Sequence, residues 1–284
     1  MGDSIELKAK AKINLSLDVL RKRPDGYHDL KMIMQTIELH DVVRIETVPS
    51  GIEIKCDSRW VPSDSSNIAY KAAALILDRA GIDQGLRINI NKRIPVAAGL
   101  AGGSSDAAAV FKGINQLLSL GFGEDELMQM GKQIGADIPY CIRGGTALAE
   151  GIGEILTDLV PFKGVNIVLI KPKIGVSTAW VYKNLDIGRV QERPDTEMLI
   201  EAIGKGKTDV VAANMKNVLE TVTVPKYVII KEIKDKLVKL GAAGSMMSGS
   251  GPSVFGIFRD KQSASSAYAK IKDKRWECYL TETA

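Results

Sequence analysis

The chain has 284 residues, of which 45% are hydrophobic and 25% are charged, a composition typical of a globular protein with one large or two medium domains. Its formal net charge is +4, and the lysines and arginines are dispersed, which argues against a nucleic-acid partner. No apolar run reaches the roughly 18 residues of a membrane span, and the first residues lack the pattern of a targeting segment. We therefore expect neither a nucleic-acid nor a membrane partner.

The cysteines lie far apart, at Cys56, Cys141 and Cys278. Their odd number and their spacing indicate neither a disulfide framework nor a zinc site. This pattern favours a reducing compartment, and we expect a cytoplasmic protein.

Hydrophobic and polar residues alternate from residue 12 to residue 19, which predicts a strand with one apolar and one polar face. Lys12 and Asn14 share the polar face and are about 7 Å apart, close enough to reach one phosphoryl group and its acceptor. The alternation by itself favours a solvated strand face, because polar alternation is common on half-exposed sheets.

A β-turn signal, RPDG, occupies residues 23–26 and precedes Tyr27 and His28. Taken alone, such a ring pair is more often packing than recognition. Strands are predicted over residues 32–39, 42–47 and 51–55. The run DSSN at residues 64–67 then predicts a helix entry, and the helix ends at Gly81.

The segment on which the rest depends is residues 95–108, which read PVAAGLAGGSSDAA. A strand over residues 86–90 precedes it, and an amphipathic helix that stops near Gly121 follows it. Its glycines allow a tight turn and bring backbone N–H groups against a ligand, while the helix start favours negative charge. The segment therefore predicts a phosphate cradle, although a glycine-rich turn without a ligand is the alternative. Ser104 and Ser105 could cap the helix, bind phosphate or touch a metal.

Asp137 follows a helix predicted over residues 124–134 and its terminal Gly135, and it precedes Pro139 in an apolar stretch. Such an acid either caps a turn or serves a site. A domain boundary is predicted near residues 156–164. The elements predicted beyond it are a strand over 165–170, helices over 196–203 and 208–220, a helix starting at Pro225, a strand-turn-strand over 244–258, a helix over 262–272 and a strand over 276–280.

Four segments carry a family resemblance: AKAKINLSLDVLRKRPDGYHDL, PVAAGLAGGSSDAA, GADIPYCIRGGTALAEGIGE and SGSGPSVFGIF. Together they resemble the motifs of the galactokinase, homoserine, mevalonate and phosphomevalonate (GHMP) kinase superfamily, in the same order along the whole chain. The DGYH segment and the extra small residues after Leu100 are similar to the branch of diphosphocytidyl-methylerythritol kinases. Val-Ala-Ala after Pro95, where relatives often have more glycine, is a mild departure.

The resemblance implies an α+β fold of two domains. Residues 1–160 would be similar to ribosomal protein S5 domain 2, and residues 161–284 would be ferredoxin-like. The implied reaction is phosphorylation of the 2-hydroxyl of 4-diphosphocytidyl-2-C-methylerythritol by ATP with Mg²⁺, in the non-mevalonate isoprenoid pathway. We expect a monomer or a weak homodimer, and we assign no metal ligand.

The resemblance also implies site residues. The catalytic pair would be Lys12 and Asp137. The substrate would be held by Asn14, Tyr27, His28 and Tyr182. ATP would be bound by Asn67, Lys92, Pro95, Val96, Ala97, Ala98, Gly99, Leu100, Ala101, Gly102, Gly103, Ser104, Ser105, Asp106, Gly249, Ser250 and Gly251.

Two other functions are compatible with the same motifs. A GHMP kinase for another alcohol, such as mevalonate or homoserine, would share the loops but has no evident use for the DGYH segment. A regulatory protein that kept the fold and lost catalysis is the second, and the presence of Lys12 and Asp137 argues against it.

Overall fold

A computed structural model describes residues 3–284 and divides into two compact units. The first unit comprises residues up to 11, 39–96 and 101–144, and the second comprises residues 12–38, 97–100 and 145–284. The sequence predicted two consecutive domains, 1–160 and 161–284, and this division stays a prediction. Residues 1 and 2 of the first predicted domain lie outside the described residues.

The first unit contains a sheet covered by helices. Strands β1 (Ser4–Lys22) and β2 (His28–Val48) contribute to both units, while β3 (Ile52–Cys56) and β4 (Gly85–Asn91) belong to the first. Strand β4 pairs antiparallel with β2 over residues 42–48 and parallel with β3. The helices are α1 (Ile68–Ala80), α2 (Gly102–Leu117), α3 (Glu124–Ile134) and α4 (Ile138–Arg143).

The core of the first unit lies where α1 and α2 pack on this sheet. Apolar residues at alternate strand positions, such as Ile45 and Ile88, are fully buried with Phe111 of α2. Gly113 permits the close approach of α2, because a Cβ there would lie 2.6 Å from Ile45 Cδ1. This packing holds α2 against the sheet.

The second unit contains part of β2 paired with β5 (Thr146–Gly151), which also pairs with β6 (Ile155–Asp158). Four further strands form an antiparallel sheet of order β10-β7-β9-β8: β7 (Asn166–Pro172), β8 (Gly244–Met247), β9 (Val254–Phe258) and β10 (Trp276–Glu282). With helices between β7 and β8 and between β9 and β10, this order is that of a ferredoxin-like domain.

Along the chain, the helices of the second unit come between β7 and β8 and between β9 and β10. They are α5 (Thr178–Asn184), α6 (Thr196–Gly204), α7 (Thr208–Asn214), α8 (Glu220–Lys226), α9 (Val228–Lys239) and α10 (Lys261–Ile271), with a 3-10 helix at Ile187–Arg189. Among residues 3–284, no helix is long and apolar enough to cross a membrane.

The prediction of separate strands over residues 32–39 and 42–47 is wrong, because β2 runs without a break from His28 to Val48. His40 and Asp41 lie between the two predicted strands. Asp41 is instead completely buried, and its carboxylate accepts hydrogen bonds from the backbone N–H groups of Arg93 and Ile94. A satisfied buried carboxylate lets the strand continue.

Several helix boundaries also differ from the prediction. The helix expected over 208–220 ends at Asn214, because Leu17 of β1 exchanges backbone hydrogen bonds with Lys216 and Val218. Pro225 does not start a helix but lies inside α8, which ends at the next residue, as expected where proline removes a donor. Helix α2 ends at Leu117 rather than near Gly121, and the sequence analysis missed α4.

Candidate active site

Lys12 and Asn14 lie side by side on β1, and both are buried, with 5% and 0% of their surfaces exposed. Lys12 Nζ donates a hydrogen bond of 3.0 Å to Asn14 Oδ1, and Asn14 Nδ2 lies 3.2 Å from Met32 Sδ. The solvated strand face that the alternation favoured is therefore wrong. Both faces of β1 are buried here, and the polar pair is held in a fixed geometry.

Residues 97–100 of the glycine-rich loop belong to the second unit with this pair. The backbone N–H of Lys12 donates to Leu100 O at 3.1 Å. Gly99 has a φ of +74°, and a Cβ there would lie 2.3 Å from Ser248 O, so only glycine fits. Ser248 Oγ donates to Gly99 O at 2.9 Å, which joins this loop to the C-terminal glycine segment.

The C-terminal glycine segment, residues 248–251, turns beside the same pair. Gly249 has a φ of +56°, and a Cβ on it would lie 3.7 Å from Asn14 Oδ1. Asn217 donates to Gly249 O at 2.8 Å and to Met247 O at 2.9 Å, and Ser250 Oγ lies 2.7 Å from Thr178 Oγ1. The second unit thus brings Lys12 and Asn14 together with two backbone turns.

Asn217 is a residue that the sequence analysis missed. It is 5% exposed, and its amide holds the glycine segment by two carbonyl groups while its oxygen accepts from Leu219 N at 3.0 Å. The residues around Asn217 form no recognisable motif. Its contacts form only when the fold brings β1 and β8 next to it.

The rest of the glycine-rich loop forms the start of α2 in the first unit. Ala101 is the N-cap residue, with a φ of +57° and no side-chain capping bond, so the proposal that Ser104 or Ser105 caps the helix is wrong. Both serines lie inside the first turns, and Ser105 Oγ donates to Lys10 O at 2.7 Å. No side chain therefore caps the first N–H groups of α2, which is the arrangement by which a helix start can accept an anion.

Lys92 and Asn67 lie in the first unit, and the side chain of each bonds to other residues of that unit. Lys92 Nζ forms ion pairs with Asp41 and Asp106, neither of which the motif analysis linked to it. Asn67 caps α1 by accepting from Ala69 N at 2.8 Å and donates to Pro62 O at 2.7 Å. Asn67 therefore stabilises the start of α1, and its contact with the nucleotide stays a prediction.

Asp137 lies in the first unit, whereas Lys12 lies in the second. It occupies the N-cap position of α4, but its side chain makes no capping hydrogen bond, so capping of this helix is not its role. Pro139 follows in the first turn of α4, where a missing N–H costs nothing.

The aromatic residues near the RPDG turn lie in the second unit. The His28 and Tyr182 rings lie against each other in a tilted arrangement, with their centroids 5.2 Å apart and their planes inclined by 32°. Tyr27 is 59% exposed, and its backbone carbonyl accepts from Arg23 N at 2.8 Å to close the turn. Burial and the charge of Lys22 lower the pKa of His28, so its ring is neutral at pH 7.

Glycine turns beside a buried lysine in the second unit, and an uncapped helix start after a glycine-rich loop in the first, are features expected of a kinase that acts on a small molecule. The family descriptions "GHMP kinases N terminal domain" and "GHMP kinases C terminal" match residues 67–145 and 199–278. The 4-diphosphocytidyl-2-C-methyl-D-erythritol kinase of Acetivibrio thermocellus is 61% identical over 281 residues, covering 99% of each chain.

Solved structures agree with these matches. A crystal structure of 4-(cytidine 5'-diphospho)-2C-methyl-D-erythritol kinase superposes with a TM-score of 0.86 at 32% identity, covering 99% of each chain. Homoserine kinase from Cytophaga hutchinsonii has the same fold, with a TM-score of 0.78 at 20% identity over 100% of this chain and 95% of that one. The chain therefore belongs to the GHMP kinases, and within them to the family of 4-diphosphocytidyl-2-C-methyl-D-erythritol kinases.

Gly103 tests whether the start of α2 binds ATP. It is exposed in the first turn of α2, and a Cβ there would meet only the flexible end of Ile68, at 3.1 Å. Gly103→Ala should keep or raise the melting temperature, because alanine stabilises a helix by about 0.5–1 kcal/mol over glycine. We expect it to weaken ATP binding by about tenfold, or ~1.4 kcal/mol, in calorimetry, because the methyl group crowds the phosphates.

Gly204→Ala in α6 is the matched control, since a Cβ there meets Val160 at an ordinary 4.0 Å. It should leave ATP affinity unchanged. Unchanged ATP affinity in Gly103→Ala as well would contradict the assignment of the phosphate site.

Proposed function

We propose that this chain transfers the γ-phosphoryl group of ATP to the 2-hydroxyl of 4-diphosphocytidyl-2-C-methyl-D-erythritol, giving the 2-phosphate and ADP, in the non-mevalonate isoprenoid pathway. The observation that carries the chemistry is the buried Lys12–Asn14 pair beside the turns at Gly99 and Gly249. The name of the 61% identical relative supports the choice of acceptor.

ATP use follows from membership of the kinase family. Among residues 3–284, no group of three or more His, Cys, Asp or Glu side chains is placed to hold a metal ion. Mg²⁺ usually keeps several waters and is bound through substrate phosphates with only one or two carboxylates. We therefore infer that the nucleotide enters as its Mg²⁺ complex, and we assign no protein ligand to the ion.

Lys12 and Asp137 are proposed to act on the same phosphoryl transfer. During transfer, the phosphoryl group carries negative charge on its oxygens. The acceptor hydroxyl must be oriented and must lose a proton. The Lys12 ammonium, held by Asn14, supplies positive charge that needs no reorganisation. The Asp137 carboxylate would orient the hydroxyl and accept its proton.

The His28–Tyr182 pair is proposed to select the cytidyl group. Stacking a base on an aromatic ring contributes about 1–3 kcal/mol without regard to sequence. The neutral imidazole of His28, placed at the edge of the base, can distinguish the amino group of cytosine from the carbonyl group of uracil. The exposed Tyr27 ring would close on the base from the other side, opposite Tyr182.

We further infer a cytoplasmic enzyme that works as a monomer or a weak homodimer. The three cysteines are free thiols, as is usual in a reducing compartment. Every residue in the proposed mechanism comes from this chain.

ADP release by the purified protein tests this function. The cytidyl substrate should give turnover that mevalonate and homoserine do not. Comparable turnover with either of those alcohols would identify a different GHMP kinase, and ATP binding without any turnover would indicate a regulator. Either result would overturn the proposal.

Asp137→Asn should lower kcat by about 10²- to 10⁴-fold, the usual effect of losing a positioned base, with an unchanged unfolding midpoint. Asp125→Asn is the matched control, since the Asp125 side chain is 88% exposed in the first turn of α3. Near-normal kcat in a folded Asp137→Asn protein would exclude this residue as the base.

Tyr182→Ala should raise KM for the cytidyl substrate by about 5- to 150-fold, the range that corresponds to one stacked base, and should change ATP binding little. His28→Ala should mainly reduce the preference over a uridine analogue. Tyr268→Ala, which removes a half-buried ring of α10, serves as the control for losing an aromatic ring. A substrate-bound structure with cytosine away from Tyr27 and Tyr182 would contradict the clamp.

A further inference from the structure

A buried ionic cluster lies in the first unit behind the start of α2. Lys92 Nζ contacts Asp41 Oδ2 at 2.5 Å and Asp106 Oδ2 at 2.7 Å. Only 6% of the Lys92 side chain is exposed, and Asp41 and Asp106 are 0% and 2% exposed. We call these three residues the triad.

The two carboxyl groups of the triad are stabilised unequally. Asp41 accepts three strong hydrogen bonds, from Lys92 Nζ and from the backbone N–H groups of Arg93 and Ile94 at 2.5 and 2.7 Å. Asp106 accepts from Lys92 alone, and its buried Oδ1 has no hydrogen-bond partner within the described residues. Hydrogen bonds stabilise the ionised form of a carboxyl group, so the charge belongs on Asp41.

The charges of the triad do not balance if both acids ionise. One ammonium and two carboxylates leave a net charge of −1 in an almost fully buried site, which is costly. One proton removes that charge. Because Asp106 is the less stabilised acid, the geometry puts this proton on Asp106.

The triad is also next to the proposed phosphate site. A Cβ on Gly102, the first residue of α2, would lie 3.3 Å from Lys92 Nζ, and Asp106 is in the second turn of the same helix. Asp41 holds the backbone of residues 93 and 94, which lead directly into the glycine-rich loop. A change in the charge of the triad therefore acts on the loop and on the helix start together.

We propose that Asp41, Lys92 and Asp106 share one proton, carried by Asp106, and that this neutral triad is the positioning unit that makes the start of α2 receptive to the phosphates of ATP. Loss of the proton leaves a buried negative charge beside the site, which opposes binding of a polyanion. The ATP half of this proposal rests on the proposed function, whereas the shared proton does not.

Burial is the main cause that raises the pKa of Asp106 to about 8, with Lys92 opposing the shift and Asp41 adding to it. Burial also opposes the charge on Lys92, but the attraction of Asp106 and Asp41 outweighs it and raises the pKa of Lys92. Two further titratable groups of this chain, at the end of β3, lie near the triad. Cys56 of β3 lies within electrostatic range of Lys92 and Asp106, and Asp57 accepts from Lys92 N at 2.9 Å.

Carbon-13 NMR of aspartate carboxyl groups tests the shared proton without ATP or substrate. The wild-type protein should show one carboxyl carbon that titrates near pH 8 and is absent from Asp106→Asn. In Asp41→Asn, the oxygen of the new amide can still accept the two backbone N–H bonds, and the Asp106 titration should move to lower pH because its competing acid is gone. If every aspartate of the wild type titrates below pH 5, the proposal is wrong.

The pH dependence of unfolding gives a second test. Asp106 would be protonated in the folded state up to about pH 8 but ionised above about pH 4 when unfolded, so the stability it contributes is lost as the pH rises between these values. The unfolding constant of the wild type relative to Asp106→Asn should rise about tenfold per pH unit between pH 5 and 7 and level off above pH 8. Asp57→Asn, which removes an exposed neighbouring carboxylate, should retain the wild-type slope. Equal slopes for the wild type and Asp106→Asn would overturn the assignment.

Calorimetric titration with Mg·ATP tests the positioning role. Between pH 7 and 9 the wild type and Asp57→Asn should lose about tenfold in ATP affinity relative to Asp106→Asn, as expected where one ionisation near pH 8 opposes ligand binding. A parallel loss in all three proteins would refute the link to ATP. Because the NMR and unfolding measurements need no nucleotide, failure of the proposed kinase activity is distinguishable from failure of the triad.

Discussion

The close backbone approach between Gly99 and Ser248 is the constraint on which the candidate site depends. A Cβ on Gly99 would lie 2.3 Å from Ser248 O, which is too close for any side chain to be tolerated. Two segments separated by almost 150 positions in the chain are therefore held as adjoining turns, with their backbones next to Lys12 and Asn14. A phosphate site made of backbone groups needs this approach, because its donors are N–H groups rather than movable side chains.

Burial of polar groups is the second recurring constraint, and the chain satisfies it in two ways. Lys12 donates to the neutral amide of Asn14, and its role in catalysis stays a prediction. Lys92 is fixed by two acids, so its charge is cancelled inside the protein. The same side chain thus serves a different purpose according to its partner, which is why position in a motif does not define the role of a lysine.

The local elements could be predicted from the sequence because their causes are local. The β4–loop–α2 order, the helix entry within residues 64–67 and the strand-turn-strand near Gly249 follow from periodicity, glycine and residues that favour helix starts. The continuity of β2 could not, since Asp41 is acceptable in a buried strand only when the backbone of Arg93 and Ile94 arrives from elsewhere. The fold and the kinase family were predicted from the motifs and are confirmed, whereas the site assignments stay predictions.

Residues that act through long-range contacts carried no local signal. Asn217 matters because β1 interrupts the helix that the sequence predicted there, and Asp41 matters because the backbone of Arg93 and Ile94 lies against it. In both cases a polar side chain in an ordinary segment fixes a glycine-rich turn or the loop that leads to one. Glycine makes these turns possible but does not select one conformation, since it is the most permissive residue. The selection must come from buried side chains outside the motifs, and Asn217 and Asp41 are placed to provide it.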